Sequence, residues 1–128
     1  MDVRSLDAAE PFVTADGSMI RELCGLPTGG TVNQSLAEAT LEPGQATQRH
    51  YHAPTEEIYF VLEGQGEMEV DGDRAIVRPG DAVPIAPGAW HELRNVGEGP
   101  LRILCCCAPP YRHEDTYFDT GETSRFPP

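Results

Sequence analysis

An all-β fold, a sandwich or small barrel of short strands, is what this 128-residue chain predicts. Three observations carry that expectation. The sequence holds 13 Gly and 12 Pro, which favours many turns over a few long helices. Extended segments recur at short intervals from Thr31 onward. No stretch keeps a helical period for more than two turns. A chain of this size builds one core, so residues 1–128 are read as one domain: an irregular N-terminal arm (1–30), a barrel (31–107) and an acidic tail with a few aromatic anchors (108–128).

The elements follow in order. In the arm, "DGS" at 16–18 and "PTGG" at 27–30 mark turns around Met19 to Leu23, a candidate edge strand. Eight extended segments come next: Val32 to Leu41, Thr47 to His52, Glu57 to Leu62, Gly66 to Val70, Arg74 to Val77, Ala82 to Ile85, Trp90 to Val96 and Leu101 to Cys107. "VDGD" at 70–73 puts Asp-Gly between two alternating runs, a strong hairpin signal, and "EPG", "RPG" and "APG" punctuate other joints. Regular alternation turns Arg49 and Arg94 away from the interior and sets Trp90 against the other sheet or at the mouth.

A formal net charge of −12 with no basic cluster excludes nucleic acid and an anionic membrane surface as partners. No apolar run is long enough to cross a bilayer, and acidic residues interrupt the first thirty positions, so a cytoplasmic protein is expected. Four cysteines in such a chain read as reduced thiols. Cys105, Cys106 and Cys107 are consecutive on a strand, point alternately to opposite faces, and are expected as small buried side chains.

The chemistry concentrates in "RHYHAPTEEIYF", residues 49–60. On a strand His50 and His52 share a face, and two imidazoles on a stiff backbone make a chelating pair. A carboxylate beyond the "APT" turn completes a facial set for a first-row metal ion. Glu56 and Glu57 both stand at a suitable distance along the chain, and the same residues also fit a polar stripe on an acidic hairpin.

The surrounding spacing extends this. Gly44, five residues, His50, one residue, His52, four residues, Glu57, six residues and Gly64 stand in order; downstream Gly88, two residues, His91, three residues and Asn95 follow Gly80. The pattern resembles the two signature motifs of the cupin superfamily over Gly44 to Asn95, with Ala86 standing where that family usually has Pro. The resemblance implies a conical barrel of two antiparallel sheets, the double-stranded β-helix, with His50, His52, Glu57 and His91 converging on one divalent transition-metal ion (Fe, Mn, Ni, Co or Zn). It selects Glu57 and leaves Glu56 on the turn. His113, in the tail, is expected to be solvated. The four motif glycines are read as turn positions with unusual backbone angles.

Three imidazoles and one carboxylate leave an octahedral ion two open positions, the layout of a catalytic rather than a closed structural site. Gln48 has the parity of His50 and is expected to face the cavity, where it donates to a substrate. Tyr59 has the parity of Glu57 and is expected beside it as a general acid, or as packing. Glu57 doubles as a candidate base. The leading expectation is a dioxygenase-like enzyme acting on a small oxygenated or enolisable compound. A redox-neutral isomerase, epimerase or polyketide-type cyclase and a non-catalytic binding module are the alternatives. The chain contains no Lys, which disfavours phosphorylated sugars. A homodimer is expected, paired through the edge near Met19 to Leu23.

Overall fold

Side-chain alternation along short strands organises the chain into two antiparallel sheets, seen in a computed structural model that describes residues 1–119. In chain order the strands are β1 (Phe12–Val13), β2 (Met19–Cys24), β3 (Ser35–Leu41), β4 (His50–His52), β5 (Glu56–Glu63), β6 (Gly66–Val70), β7 (Asp73–Val77), β8 (Ala82–Ile85), β9 (His91–Asn95), β10 (Leu101–Ala108) and β11 (Thr116–Phe118). One sheet runs β1-β2-β3-β10-β5-β8 and the other β11-β4-β9-β6-β7. Every pairing is antiparallel, and hydrogen bonds do not close the two sheets into one continuous ladder. This is the fold class the sequence predicts.

The inner faces supply the core. On β5 the pattern is strict: Glu57, Tyr59 and Val61 are buried, while Glu56, Ile58 and Phe60 are exposed. Leu41, Val61, Leu93, Leu101 and Ile103 belong to one buried hydrophobic cluster. Burying such side chains contributes roughly 1.5–3 kcal/mol each before chain entropy is counted. The Asp-Gly hairpin forms as read, with positive φ at Asp71 (49°) and Gly72 (93°), the pair of left-handed residues that a tight hairpin turn requires.

Four expectations change. The segment Met19 to Leu23 is an edge only in part: β1 pairs with Met19 and Ile20, and no strand among the described residues pairs outside Arg21 to Leu23. The strand expected from Thr47 starts only at His50, because residues 47–49 make irregular contacts with β9 and the arm instead of a regular ladder. The barrel does not end at Cys107. Residues 116–118 pair with β4 at Thr116↔His52 and Phe118↔His50 and bury Thr116 and Phe118. This strand is too short to announce itself by alternation. Trp90 packs on neither the opposite sheet nor the mouth; its ring meets Tyr51 at 4.7 Å and lies under the Arg49 guanidinium at 5.1 Å, on the outer face. Arg49 does point outward as expected, onto the buried carboxylate of Glu69 at 2.8 Å. The last nine residues of the expected tail lie outside the described residues.

Candidate metal centre

Two adjacent strands of the smaller sheet bring the histidines together. His50 on β4 stands directly opposite His91 on β9, and His52 follows two residues along on the same inner face. All three side chains are buried, and one ring nitrogen from each falls within 4.8 Å of the others. The carboxylate comes from the opposite sheet: Glu57 Oε1 is 3.2 Å from His52 Nε2 and 3.4 Å from His91 Nε2.

The hydrogen bonds behind the rings fix which nitrogen faces the centre. His50 Nδ1–H donates to the Gln48 carbonyl at 2.7 Å, and His91 Nδ1–H to the Ala89 carbonyl at 2.9 Å; a carbonyl only accepts. Thr116 Oγ1 gives its proton to the Arg112 carbonyl at 3.1 Å, so it accepts from His52 Nδ1–H at 3.0 Å. With Nδ1–H engaged outward, each ring turns its Nε2 inward, the arrangement typical of metal-binding imidazoles. Glu57 Oε2 is engaged by the Cys107 thiol at 3.2 Å. Glu57 Oε1 and His91 Nε2, both buried, have no hydrogen-bond partner.

Lone pairs and a carboxylate oxygen facing one another at such distances call for positive charge between them, which a divalent cation supplies. The protonation preferences reflect the crowding of these groups around one carboxylate. Burial, followed by the neighbouring His91 and His52, pushes His50 down to about 3. For Glu57, burial alone would raise the pKa, but the His52 and His91 imidazoles overcome it and hold the carboxyl well below the usual range. Burial would lower His91, yet the Glu57 carboxylate raises it. The residues fit a metal ion.

A model of the cupin domain matches residues 37–107. The chain belongs to the cupin family. Among its relatives, this cupin is 47% identical over 110 residues to the uncharacterized protein MJ1618 of Methanocaldococcus jannaschii, covering 86% of the chain and 88% of that protein. It is 30% identical over 93 residues to the polyketide synthase protein CurC of Streptomyces cyaneus, covering 73% of the chain and 60% of that protein. A crystal structure of a predicted oxalate decarboxylase from Thermotoga maritima has the same fold, with a TM-score of 0.75 at 21% identity over 84% of the chain and 99% of the other.

Around the centre the cupin interior holds about 60 Å³ of space open to water-sized molecules, and a groove of about 550 Å³ lies outside it. Phe12, Thr14, Glu22 and Tyr111 wall both, so the groove forms the cavity's mouth. Tyr59 lines the cavity, its ring 5.8 Å from that of His91, and burial, followed by the Glu57 charge, raises its pKa well above the ordinary value. Gln48 does not line it: its side chain is exposed, and only its backbone reaches the site. Because residues 47–49 are not in regular strand, parity counted back from His50 fails, and the inward position belongs to Thr47, whose Oγ1 accepts from Leu93 N–H at 3.0 Å.

Cys105 and Cys107 both line the cavity, on the alternate positions of β10 that face inward. Glu56 is exposed and does not line the cavity, and His113 is exposed and outside the histidine group. Sequence reasoning missed Asp16, which comes from the arm to stand with Oδ2 3.9 Å from His50 Nε2. Burial raises its pKa against the opposing hydrogen bonds from Ser18. Its only sequence signal is the "DGS" turn, which marks a bend without saying where the bend docks.

Proposed function

We propose that this cupin is a metal-dependent enzyme acting on a small oxygen-bearing compound, with one divalent transition-metal ion held by His50, His52, His91 and Glu57. One observation supports it above all: ring nitrogens of three buried histidines fall within 4.8 Å of one another, Glu57 Oε1 stands 3.2 and 3.4 Å from two of them, and Glu57 Oε1 and His91 Nε2 have no hydrogen-bond partner. Bound there, an ion from Fe, Mn, Ni, Co or Zn supplies Lewis acidity and, as iron, electron exchange with dioxygen. The side chains then have separable parts. Gln48 and Ala89 carbonyls and Thr116 hold the imidazoles in register. Cys107 ties one carboxylate oxygen and leaves the other toward the histidines, which favours Glu57 as a ligand over Glu57 as a mobile base. Tyr59, kept protonated by its surroundings, is the candidate general acid or hydrogen-bond donor. The apolar wall excludes water from the reacting compound.

Within that frame the leading reading is a dioxygenase-like oxidoreductase. A redox-neutral isomerase or cyclase is the second, favoured by the relationship to CurC, which is named for polyketide synthesis. A purely binding role leaves four converging donors without a purpose. Metal analysis of protein purified without added metal, alongside His50→Ala and His91→Ala, is the first test. Wild type should carry about one equivalent and each variant a small fraction of it; full metal content in both variants sinks the centre. Oxygen uptake by iron-loaded protein, over a panel of enolisable compounds, then separates the two chemistries. Turnover without uptake selects the redox-neutral reading.

A further inference from the structure

The N-terminal arm delivers a carboxylate to the centre that the metal donors do not account for. Asp16 sits in a turn closed by Thr14 N–H on the Ser18 carbonyl and Gly17 N–H on the Thr14 carbonyl, each at 3.0 Å. Gln48 N–H pins this turn to the approach of β4 through the Asp16 carbonyl at 2.8 Å. Within the turn, Ser18 donates its N–H and Oγ–H to Asp16 Oδ1 at 2.9 and 2.6 Å. Oδ1 is thus engaged by the arm, while Oδ2 lies 3.9 Å from His50 Nε2.

With its Nδ1–H committed to the Gln48 carbonyl, His50 presents a lone pair, so two acceptors border the same space. A cation held by the histidines would answer the imidazole nitrogen and leave Asp16 Oδ2, 3.9 Å from it, facing the cavity. A carboxylate oxygen in such a position accepts from a proton-bearing group and repels an anion. The cavity wall reinforces this preference. Its acidic side chains are Asp16, Glu22 and Glu57, and among the described residues no arginine lines it. Ile20, Ala39 and Ile103 represent its apolar remainder.

We propose that Asp16 is a specificity-determining residue: its Oδ2 accepts a hydrogen bond from a hydroxyl of the ligand, so the cavity takes an uncharged alcohol, enol or phenol with an apolar body and disfavours small dianions. This rests on the metal reading above. Calorimetric titration of Co(II)-loaded protein under nitrogen tests it with three probes. These are hydroxyacetone, methoxyacetone, which keeps the skeleton but lacks the hydroxyl proton, and oxalate.

In wild type the hydroxy compound should bind more tightly than the methoxy one, and Asp16→Ala should shrink that ratio about tenfold or more. Oxalate should bind about tenfold more tightly to both Asp16→Ala and Asp16→Asn, since both remove the charge. An unchanged hydroxy-to-methoxy ratio in Asp16→Ala, at wild-type cobalt content, overturns the role of Asp16 and leaves the metal centre standing. Loss of cobalt from both Asp16 variants makes Asp16 a ligand of the ion and also overturns it. Failure of the wild type itself to take up cobalt overturns both readings.

Discussion

His50 shows how much one buried side chain contributes to the behaviour of the site. The folded protein keeps it neutral down to about pH 3, while an ordinary histidine titrates near 6.5. The unfolded chain therefore binds more protons across that window, and stability falls as pH drops from 6.5 toward 3. Glu57, held below its ordinary range, adds a loss at lower pH still. His91 works in the opposite sense, its contribution being complete at low pH and lost as pH rises through its elevated value. Denaturant unfolding of metal-free protein between pH 6.5 and 5 should show a decline of about 1 kcal/mol per pH unit from His50, and His50→Gln should flatten it. An equal slope in the variant would mean that another group titrates. At this scale the sequence was legible where spacing carried the information: His50, His52 and His91 group together, and Glu57 Oε1 lies 3.2 Å from His52 Nε2 and 3.4 Å from His91 Nε2. It was misleading at Gln48 and silent at Asp16, since one depends on a local break in strand geometry and the other on where a remote turn docks.

The elements that matter most to the site are short ones whose neighbours hold them. β4 has three residues, and it is fixed by β9 on one side and β11 on the other. Thr116 of β11 orients His52, so a segment expected to be tail supports one of the candidate metal-binding histidines. On the outer face, Arg49 pairs with Glu69 and covers Trp90, clamping the approach to β4 onto the same sheet. The joints are equally specific. All four motif glycines adopt φ between +80° and +93°, but they do not cost the same to replace. At Gly64 an added Cβ would lie 2.4 Å from the Pro100 carbonyl oxygen and 2.9 Å from Leu101 Cα, both backbone, whereas at Gly44 it would meet nothing within 4 Å. Gly44→Ala should therefore cost roughly 1 kcal/mol for the left-handed backbone alone. Gly64→Ala should cost about 2 kcal/mol or more, because the β5–β6 turn and the start of β10 must move apart. Chemical denaturation of the two variants measures the difference, and equal losses would refute the close approach.

Across the whole molecule, the site exists because two sheets face each other. The smaller sheet brings the three histidines and the larger one Glu57, Tyr59 and Cys107. Beyond Met19 and Ile20, which β1 covers, the outer edge of β2 carries no strand among the described residues, and Phe12, Val13 and Leu26 are exposed nearby. We expect a homodimer joined along this side. Light scattering should give twice the mass of the 13.9 kDa chain, and a monomeric mass removes the expectation. No helix among the described residues is long and apolar enough to cross a membrane. By itself the sequence determined the all-β class, the hairpin at Asp71–Gly72 and which histidines group together, because turn chemistry, alternation and motif spacing are local quantities written along the chain. Only the tertiary structure decided that Asp16 and the Cys107 thiol join the centre, that Gln48 stays outside it and that residues 116–118 complete its sheet. Those outcomes depend on which distant segments pack together, and no local period records that choice.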